Sequence, residues 1–186
     1  VLTPITHVLT STDISSGFNV TFTAPADGQT QTVTANYVDA AGNPATDAVA
    51  TDNAKLDTTA PTNAGMNLAI VIDSDINNDQ WVSNSELNGS TTFTSHVTFD
   101  HLLAVAGDTV VVTATNGTSM PVVIHHVLST TEAANGSFDI TFAKPAEGEK
   151  QTVTANYVDK AGNAAIDTQP TDDAVLDTAV PTNSAM

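Results

Sequence analysis

Cysteine is absent from all 186 residues, which excludes disulfide staples and thiolate metal centres. Arginine is absent as well, and lysine occurs only at Lys55, Lys144, Lys150 and Lys160, against 21 acidic residues, for a formal net charge of −17. A chain this negative is repelled by nucleic acid and by anionic membranes, so neither is expected as a partner. Aromatic residues make up 5%, mostly phenylalanines in strand-like stretches, and the aromatic-lined groove of a sugar-cleaving enzyme is missing. No apolar run approaches the roughly 20 residues of a membrane span, so no direct membrane insertion is expected. No stretch reads as a signal peptide; an export address is expected outside this sequence. No set of Ser, His and acid recurs along the chain, and a non-enzymatic protein is expected.

What the chain does contain is itself, twice. The string Gln-Thr-Val-Thr-Ala-Asn-Tyr-Val-Asp at Gln31 to Asp39 returns at Gln151 to Asp159, a period of 120 residues. The flanks follow: His7-Val8-Leu9 returns as His126-Val127-Leu128, Phe18 to Phe22 as Phe138 to Phe142, and Leu56-Asp57-Thr58 as Leu176-Asp177-Thr178. A period this long is a whole domain, since stacked solenoid repeats run about 20 to 50 residues. Residues 58–177 are then one complete unit, residues 1–57 match the second half of a unit, and residues 178–186 begin another. The phase of the ends implies an excerpt of a longer array; the other reading is a chain whose incomplete half is finished by a neighbouring molecule.

Stretches rich in Val, Thr, Ile, Phe and Tyr alternate with polar residues and are bounded by Gly, Asn, Asp and Pro, the signature of strands. Seven are expected in the complete unit: Met66 to Asp73, Thr91 to Phe99, Thr109 to Thr115, Val122 to Ser129, Ser137 to Phe142, Gln151 to Val158, and Ala164 to Leu176. No helical period is evident. The fold expected is all-β, an immunoglobulin-like antiparallel β-sandwich in tandem repeat. An odd number of crossings brings the chain out at the pole opposite its entrance, and Asp57 to Asn63, short and containing Pro61, gives a stiff connector. Copies then string head to tail into a rod.

One segment carries a specific chemical signal. Asp75 to Glu86 fits a twelve-residue calcium loop, with side-chain oxygens at positions 1 (Asp75), 3 (Asn77), 5 (Asp79) and 9 (Ser83). The Trp81 carbonyl falls at position 7, and Glu86, able to bind through both oxygens, at position 12. Calcium takes six to eight hard oxygens, and alternation around a tight loop lets several converge. Gln80 stands where glycine normally permits the sharp turn, and strands rather than helices are expected on either side. The competing reading is a polar turn with no ion. A second candidate recurs as Tyr37 to Asn43 and Tyr157 to Asn163: Asp159 and Asn163 share a pole with Asp57, and the three either hold a junction ion or form an ordinary aspartate-stabilised turn. At the other pole Asp73 and Asp75 approach the exit segment with Asp172, Asp173 and Asp177, where a further ion is expected. The acidity itself reads either as solubility in salt or as a store of such ligands.

His125-His126 invites a metal reading, but neighbours in a strand point to opposite faces. The sequons at Asn19, Asn88, Asn116 and Asn135 are too common by chance to carry weight.

The loop motif Asp75-x-Asn77-x-Asp79-x-x-Val82-Ser83-x-x-Glu86-Leu87 resembles the extender repeats of very large bacterial surface adhesins. So do Ala106 to Val110, Tyr157-Val158-Asp159-x-Ala161-Gly162-Asn163, and Leu176-Asp177-Thr178 leading to Pro181. These are the repeats-in-toxin adhesins secreted by the type I route. The resemblance implies calcium-stabilised β-sandwiches in long tandem runs, extracellular at the cell surface, serving adhesion and biofilm formation, with ligand-binding modules elsewhere. It implies Asp75, Asn77, Asp79 and Glu86 as loop ligands, with Asp57, Asp159 and Asp177 at the domain ends. Two other classes are weighed beside it. One is a self-assembling filament or surface-layer subunit; the other is a carbohydrate- or protein-binding module, for which exposed Trp81 is the candidate contact.

Overall fold

The computed structural model describes residues 4–182, so the last four residues of the expected third copy lie outside the described residues. The chain divides into two compact units, Val1–Asp57 and Thr58–Met186.

In the second unit, β3 (Ala69–Ile72), β5 (Thr92–Thr98) and β8 (Ser137–Ala143) form a sheet in the order β3-β5-β8. A five-stranded sheet runs β4 (Trp81–Val82), β10 (Thr171–Leu176), β9 (Lys150–Val158), β6 (Thr109–Asn116), β7 (Val122–Val127). Burial alternates residue by residue along β5, β6, β8 and β9, which turns Phe93 and Val97, Val110 and Val112, Phe138, Ile140 and Phe142, and Val153, Ala155 and Tyr157 into one core between the sheets. That two-residue alternation is the pattern expected of half-buried strands. The unit is therefore all-β, with two sheets on a common core.

Several expectations are corrected. The sheets are not purely antiparallel, because β4 lies parallel to β10, Trp81 opposite Val175 and Val82 opposite Leu176. This eighth, two-residue strand exists because the Asp75–Glu86 loop folds back onto the sheet edge. The first expected strand shortens to Ala69–Ile72, where Asp75 N–H bonds to Ile72 O and turns the chain. In the last, Ala164 makes only an isolated bridge to Val158 and the ladder begins at Thr171. Single helical turns, too short to show a period, occur at α2 (Asn84–Leu87) and α3 (Thr130–Asn135), so Ser129 and Asn135-Gly136 are a helix cap and its end rather than strand and hairpin turn. Gly136 has a φ of 74°, and a Cβ there would stand 2.8 Å from Phe99 O, so glycine is required at that cap.

The first unit contains α1 (Ser11–Ser16), β1 (Thr30–Ala35) and β2 (Ala50–Lys55). Its pairing keeps the register of β9 with β10: Thr34 faces Thr51 as Thr154 faces Thr171, and Val38 bridges Pro44 as Val158 bridges Ala164.

Candidate metal centre

The Asp75–Glu86 loop is built by its own acids. Asp75, 7% exposed, accepts from Asp79 N through Oδ1 at 3.1 Å and from Gln80 N through Oδ2 at 2.7 Å. Asn77 Oδ1 also accepts from Asp79 N at 3.0 Å, its Nδ2 donates to Asp79 Oδ2 at 3.1 Å, and Asp79 Oδ1 accepts from Trp81 N at 2.9 Å. Alternate side chains thus fold inward onto successive N–H groups. Gln80, at the position where glycine was expected, has φ 71°, and Asn78 has φ 56°. The sharp turn is made in the left-handed region without glycine, at a cost in strain.

The loop closes on β10. Val175 N donates to Gln80 O at 2.9 Å and Asp177 N to Val82 O at 3.0 Å. Since the flanking carbonyls serve this ladder, the Trp81 carbonyl lies on the opposite edge of β4, the side on which Trp81 N meets Asp79. At the other end Ser83 caps α2: Ser83 N and Oγ both donate to Glu86 Oε2, at 2.9 and 2.7 Å, while Glu86 N returns to Ser83 Oγ at 3.4 Å. The short helix replaces the expected strand flank and commits the Ser83 hydroxyl to the cap. These hydrogen bonds, first the Ser83 N–H and then its hydroxyl, hold the Glu86 carboxyl below the usual glutamate range. Its other oxygen, Oε1, is buried and makes no hydrogen bond of ordinary geometry, while the Asn77 and Ile76 N–H groups also act on this carboxyl and lower its pKa further.

That oxygen is where a hard cation would meet the donor set. Glu86 Oε2 takes both Ser83 hydrogen bonds while Oε1 takes none of ordinary geometry, and Asp75 and Asp79 each accept two hydrogen bonds of the roughly four a carboxylate takes. Asp75, Asn77, Asp79, Glu86 and the Trp81 carbonyl would hold the ion, all through oxygen, the ligand calcium prefers. No group of three or more His, Cys, Asp or Glu side chains among the described residues stands close enough to hold a metal by itself. An ion here therefore draws on the amide and carbonyl oxygens as well as the acids.

Asp73 is exposed at the end of β3. Nearby, Asp172 Oδ2 accepts from Ile72 N at 2.7 Å, so the exit strand does meet the start of the loop. Asp177 Oδ1 accepts from Ala179 N at 3.1 Å, and Glu147 grips the same exit, taking Thr178 N at 2.7 Å and Thr178 Oγ1 at 2.6 Å. Asp159 is occupied as a turn: Oδ1 accepts from Asn163 N and Oδ2 from Asn163 Nδ2, both at 2.9 Å. Burial raises its pKa, but the Asn163 bonds outweigh it and the net shift is downward. Asp39 and Asn43 repeat the arrangement, at 2.8 and 2.9 Å. Asp57 closes the first unit.

Three features escaped the sequence reading. Asn63, 1% exposed, receives Tyr157 N on Oδ1 at 2.9 Å and donates from Nδ2 to Asn156 Oδ1 at 2.9 Å, tying the incoming segment to β9. Asp108, 3% exposed, accepts the Tyr157 hydroxyl. His126 stacks on Phe138 with centroids 3.9 Å apart and meets Glu132 Oε1 at 2.9 Å; His7, Phe18 and Asp13 repeat this at 4.1 and 3.1 Å. The signal for the last was present, as Thr10-x-x-Asp13 and Ser129-x-x-Glu132 are capping boxes.

No protein-family model matches this sequence, and no curated protein matches it.

Proposed function

We propose that this chain is a stretch of a structural extender in a bacterial cell-surface adhesin. In this reading, immunoglobulin-like β-sandwich units repeat head to tail, calcium rigidifies them, and a distal ligand-binding region is projected away from the cell. The observation that carries it is the Glu86 carboxylate, with one oxygen locked by the Ser83 cap and the other buried without a hydrogen bond of ordinary geometry, in a loop whose Asp75 and Asp79 carboxylates keep spare lone pairs. The same loop is bonded through Val82 O to Asp177 N, where the chain leaves the unit. An ion there would stiffen the exit as well as the loop.

Calcium modules that work outside the cell bind at about 10⁻⁴ to 10⁻³ M, so the site fills after export. Binding only to the folded state at about 100 times Kd stabilises by about 2.7 kcal/mol. For a unit of this size that is roughly 10 °C in Tm. The sole tryptophan, Trp81, lies in the loop itself, so its fluorescence reports this unit alone. The test is thermal unfolding of the whole chain in 10 mM calcium and in excess chelator, with the Asp79→Ala/Glu86→Ala double variant beside it. A calcium-dependent rise that the variant loses supports the reading. Superimposable melts in both solutions would reduce the loop to a polar turn and remove the stiffening.

A further inference from the structure

A sheet edge presents main-chain groups that can pair with another strand, and proteins blunt such edges with charge, proline, short length or side-chain cover. In the complete second unit three edges are blunted. β4 is two residues long and its Trp81 N is held by Asp79. On β3, Asp172 takes Ile72 N. On β8 the exposed Asp139 stands mid-strand, and the Asn116 and Gln151 amides cover Ala143 O. The remaining edge, β7, ends the five-stranded sheet with six residues, none of them acidic, lysine or proline. Leu128 N bonds to Asp108 O and Leu128 O receives Gly107 N, so Leu128 faces β6. By alternation Val122, Ile124 and His126 do the same, and the N–H and C=O groups of Val123, His125 and Val127 point away from the sheet. The side chains of Val123 and Val127 are 49% and 60% exposed, with exposed His125 between them.

We propose that β7 is a self-association strand, pairing antiparallel with β7 of a second copy about a two-fold axis at His125. Charge favours a second copy here. The net charge is −17, yet residues 109–131 contain no Asp, Glu or Lys, so two copies can meet along β7 without setting acid against acid. Register favours it too. Centred on His125, each outward residue meets another: Val123 faces Val127 of the partner subunit, and the two His125 residues face each other. Centred on Ile124, Val127 would meet Pro121, which has no N–H. Centred on His126, Val123 would meet Ser129, whose N–H is committed to Glu132 in the α3 cap. Only the His125 register uses all three outward residues, and it sets valine against valine on both sides of the axis.

The other copy of this segment carries the block that β7 lacks. In the alignment that sets His7 on His126, Pro4 stands at the position of Val123 and Thr6 at that of His125. Proline there removes an outward N–H without touching the pairing to the neighbouring strand, which is how edge strands are protected. Because β7 lies on the flank of the sandwich, in the extender reading the contact would join two arrays side by side. The pairing itself rests neither on that reading nor on calcium.

The test is sedimentation equilibrium of the full chain at concentrations up to about 1 mM, in moderate salt to screen like charges, with amide hydrogen exchange beside it. The expected result is a monomer–dimer equilibrium, the same in calcium and in chelator, with protection of the Val123, His125 and Val127 amides that grows with concentration. Val123→Pro, which copies the first unit, should weaken the dimer at least about tenfold by removing one main-chain donor from each copy. Trp81 fluorescence melting verifies that this variant remains folded. His125→Glu, which sets two like charges across the axis, should weaken it about fivefold, and Val71→Glu on the outer face of β3 should leave it unchanged. A monomer at every concentration overturns the proposal, as does a dimer that chelator abolishes. So does a dimer that protects only other amides, or one that neither Val123→Pro nor His125→Glu weakens.

Discussion

The Tyr157 hydroxyl donates a 2.6 Å hydrogen bond to Asp108 Oδ2, inside a core where the two residues are 1% and 3% exposed. Asp108 Oδ2 also accepts from Val105 N at 2.9 Å, so one carboxyl oxygen fixes both the turn before β6 and the far end of β9. Burial first, and the Asp108 hydrogen bond second, push the Tyr157 phenol well above its usual value. Tyr157→Phe leaves a buried carboxyl short of a donor and should cost about 1–3 kcal/mol. Tyr37→Phe, on an exposed copy of the same strand, should change stability by less than about 0.5 kcal/mol. Urea unfolding followed by Trp81 fluorescence and circular dichroism measures both; equal losses would contradict the account.

The left-handed backbone at Gln80 gives a second test. A side chain at φ 71° carries a steric penalty of about 1–2 kcal/mol that glycine avoids, partly offset by glycine's freedom in the unfolded chain. Gln80→Gly should therefore stabilise by about 0.5–1 kcal/mol without calcium, whereas β-branched Gln80→Val should destabilise by about 1 kcal/mol. Melting of the two variants in chelator reads this directly. A lower Tm for the glycine variant would mean the Gln80 side chain makes a contact worth more than the strain.

The strand pattern of the second unit was legible because alternation reports burial directly: Val153, Ala155 and Tyr157 all face the core as their spacing says. The alternation of oxygen side chains in the Asp75–Glu86 loop was legible, and so was its approach to the exit strand. Three things were not. β4 depends on a long-range fold-back onto Val175 and Leu176, which no local pattern encodes. The single-turn helices at Asn84 and Thr130 are set by capping boxes and are too short for periodicity. The Asn63 plug joins residues about ninety positions apart in sequence, and Asn63 itself reads locally as one more polar loop residue.

Acid should loosen the two glutamate capping boxes of the second unit. Glu86 and Glu132 are held below the usual glutamate value of 4.5, each first by the cap residue's N–H, of Ser83 and Ser129 respectively. A depressed folded-state pKa stabilises above the unfolded value and loses that contribution as pH falls through the folded one, so the loss begins near pH 4.5 and deepens below it. Protonation also relieves the repulsion of a −17 chain, an effect of opposite sign. Melting from pH 6 to 3 in about 0.5 M salt, which shortens the screening length, suppresses that opposing effect. The Glu132→Gln variant should show a shallower fall; the same slope as the unaltered chain would rule out the cap as its source.

Asn63 gives the sharpest stability test, because its side chain is used completely. Oδ1 accepts the Tyr157 N–H and Nδ2 donates to Asn156 Oδ1, while the Asn63 and Ala64 N–H groups go to the Asp167 carboxylate at 2.7 and 3.0 Å. Those N–H groups, Ala64 first, hold the Asp167 carboxyl below the usual aspartate range. Asn63→Ala leaves a backbone donor on β9 and an amide oxygen unsatisfied in a site 1% exposed, a loss of about 2–4 kcal/mol. Asn63→Asp keeps the acceptor but loses the donor and sets a second carboxylate near Asp167, so it should be worse at pH 7 than at pH 4. Urea midpoints for the two variants, with the exchange rate of the Tyr157 amide, distinguish a plug from a passive loop. An Asn63→Ala loss below about 0.5 kcal/mol with an unchanged Tyr157 amide would show that β9 is held without it.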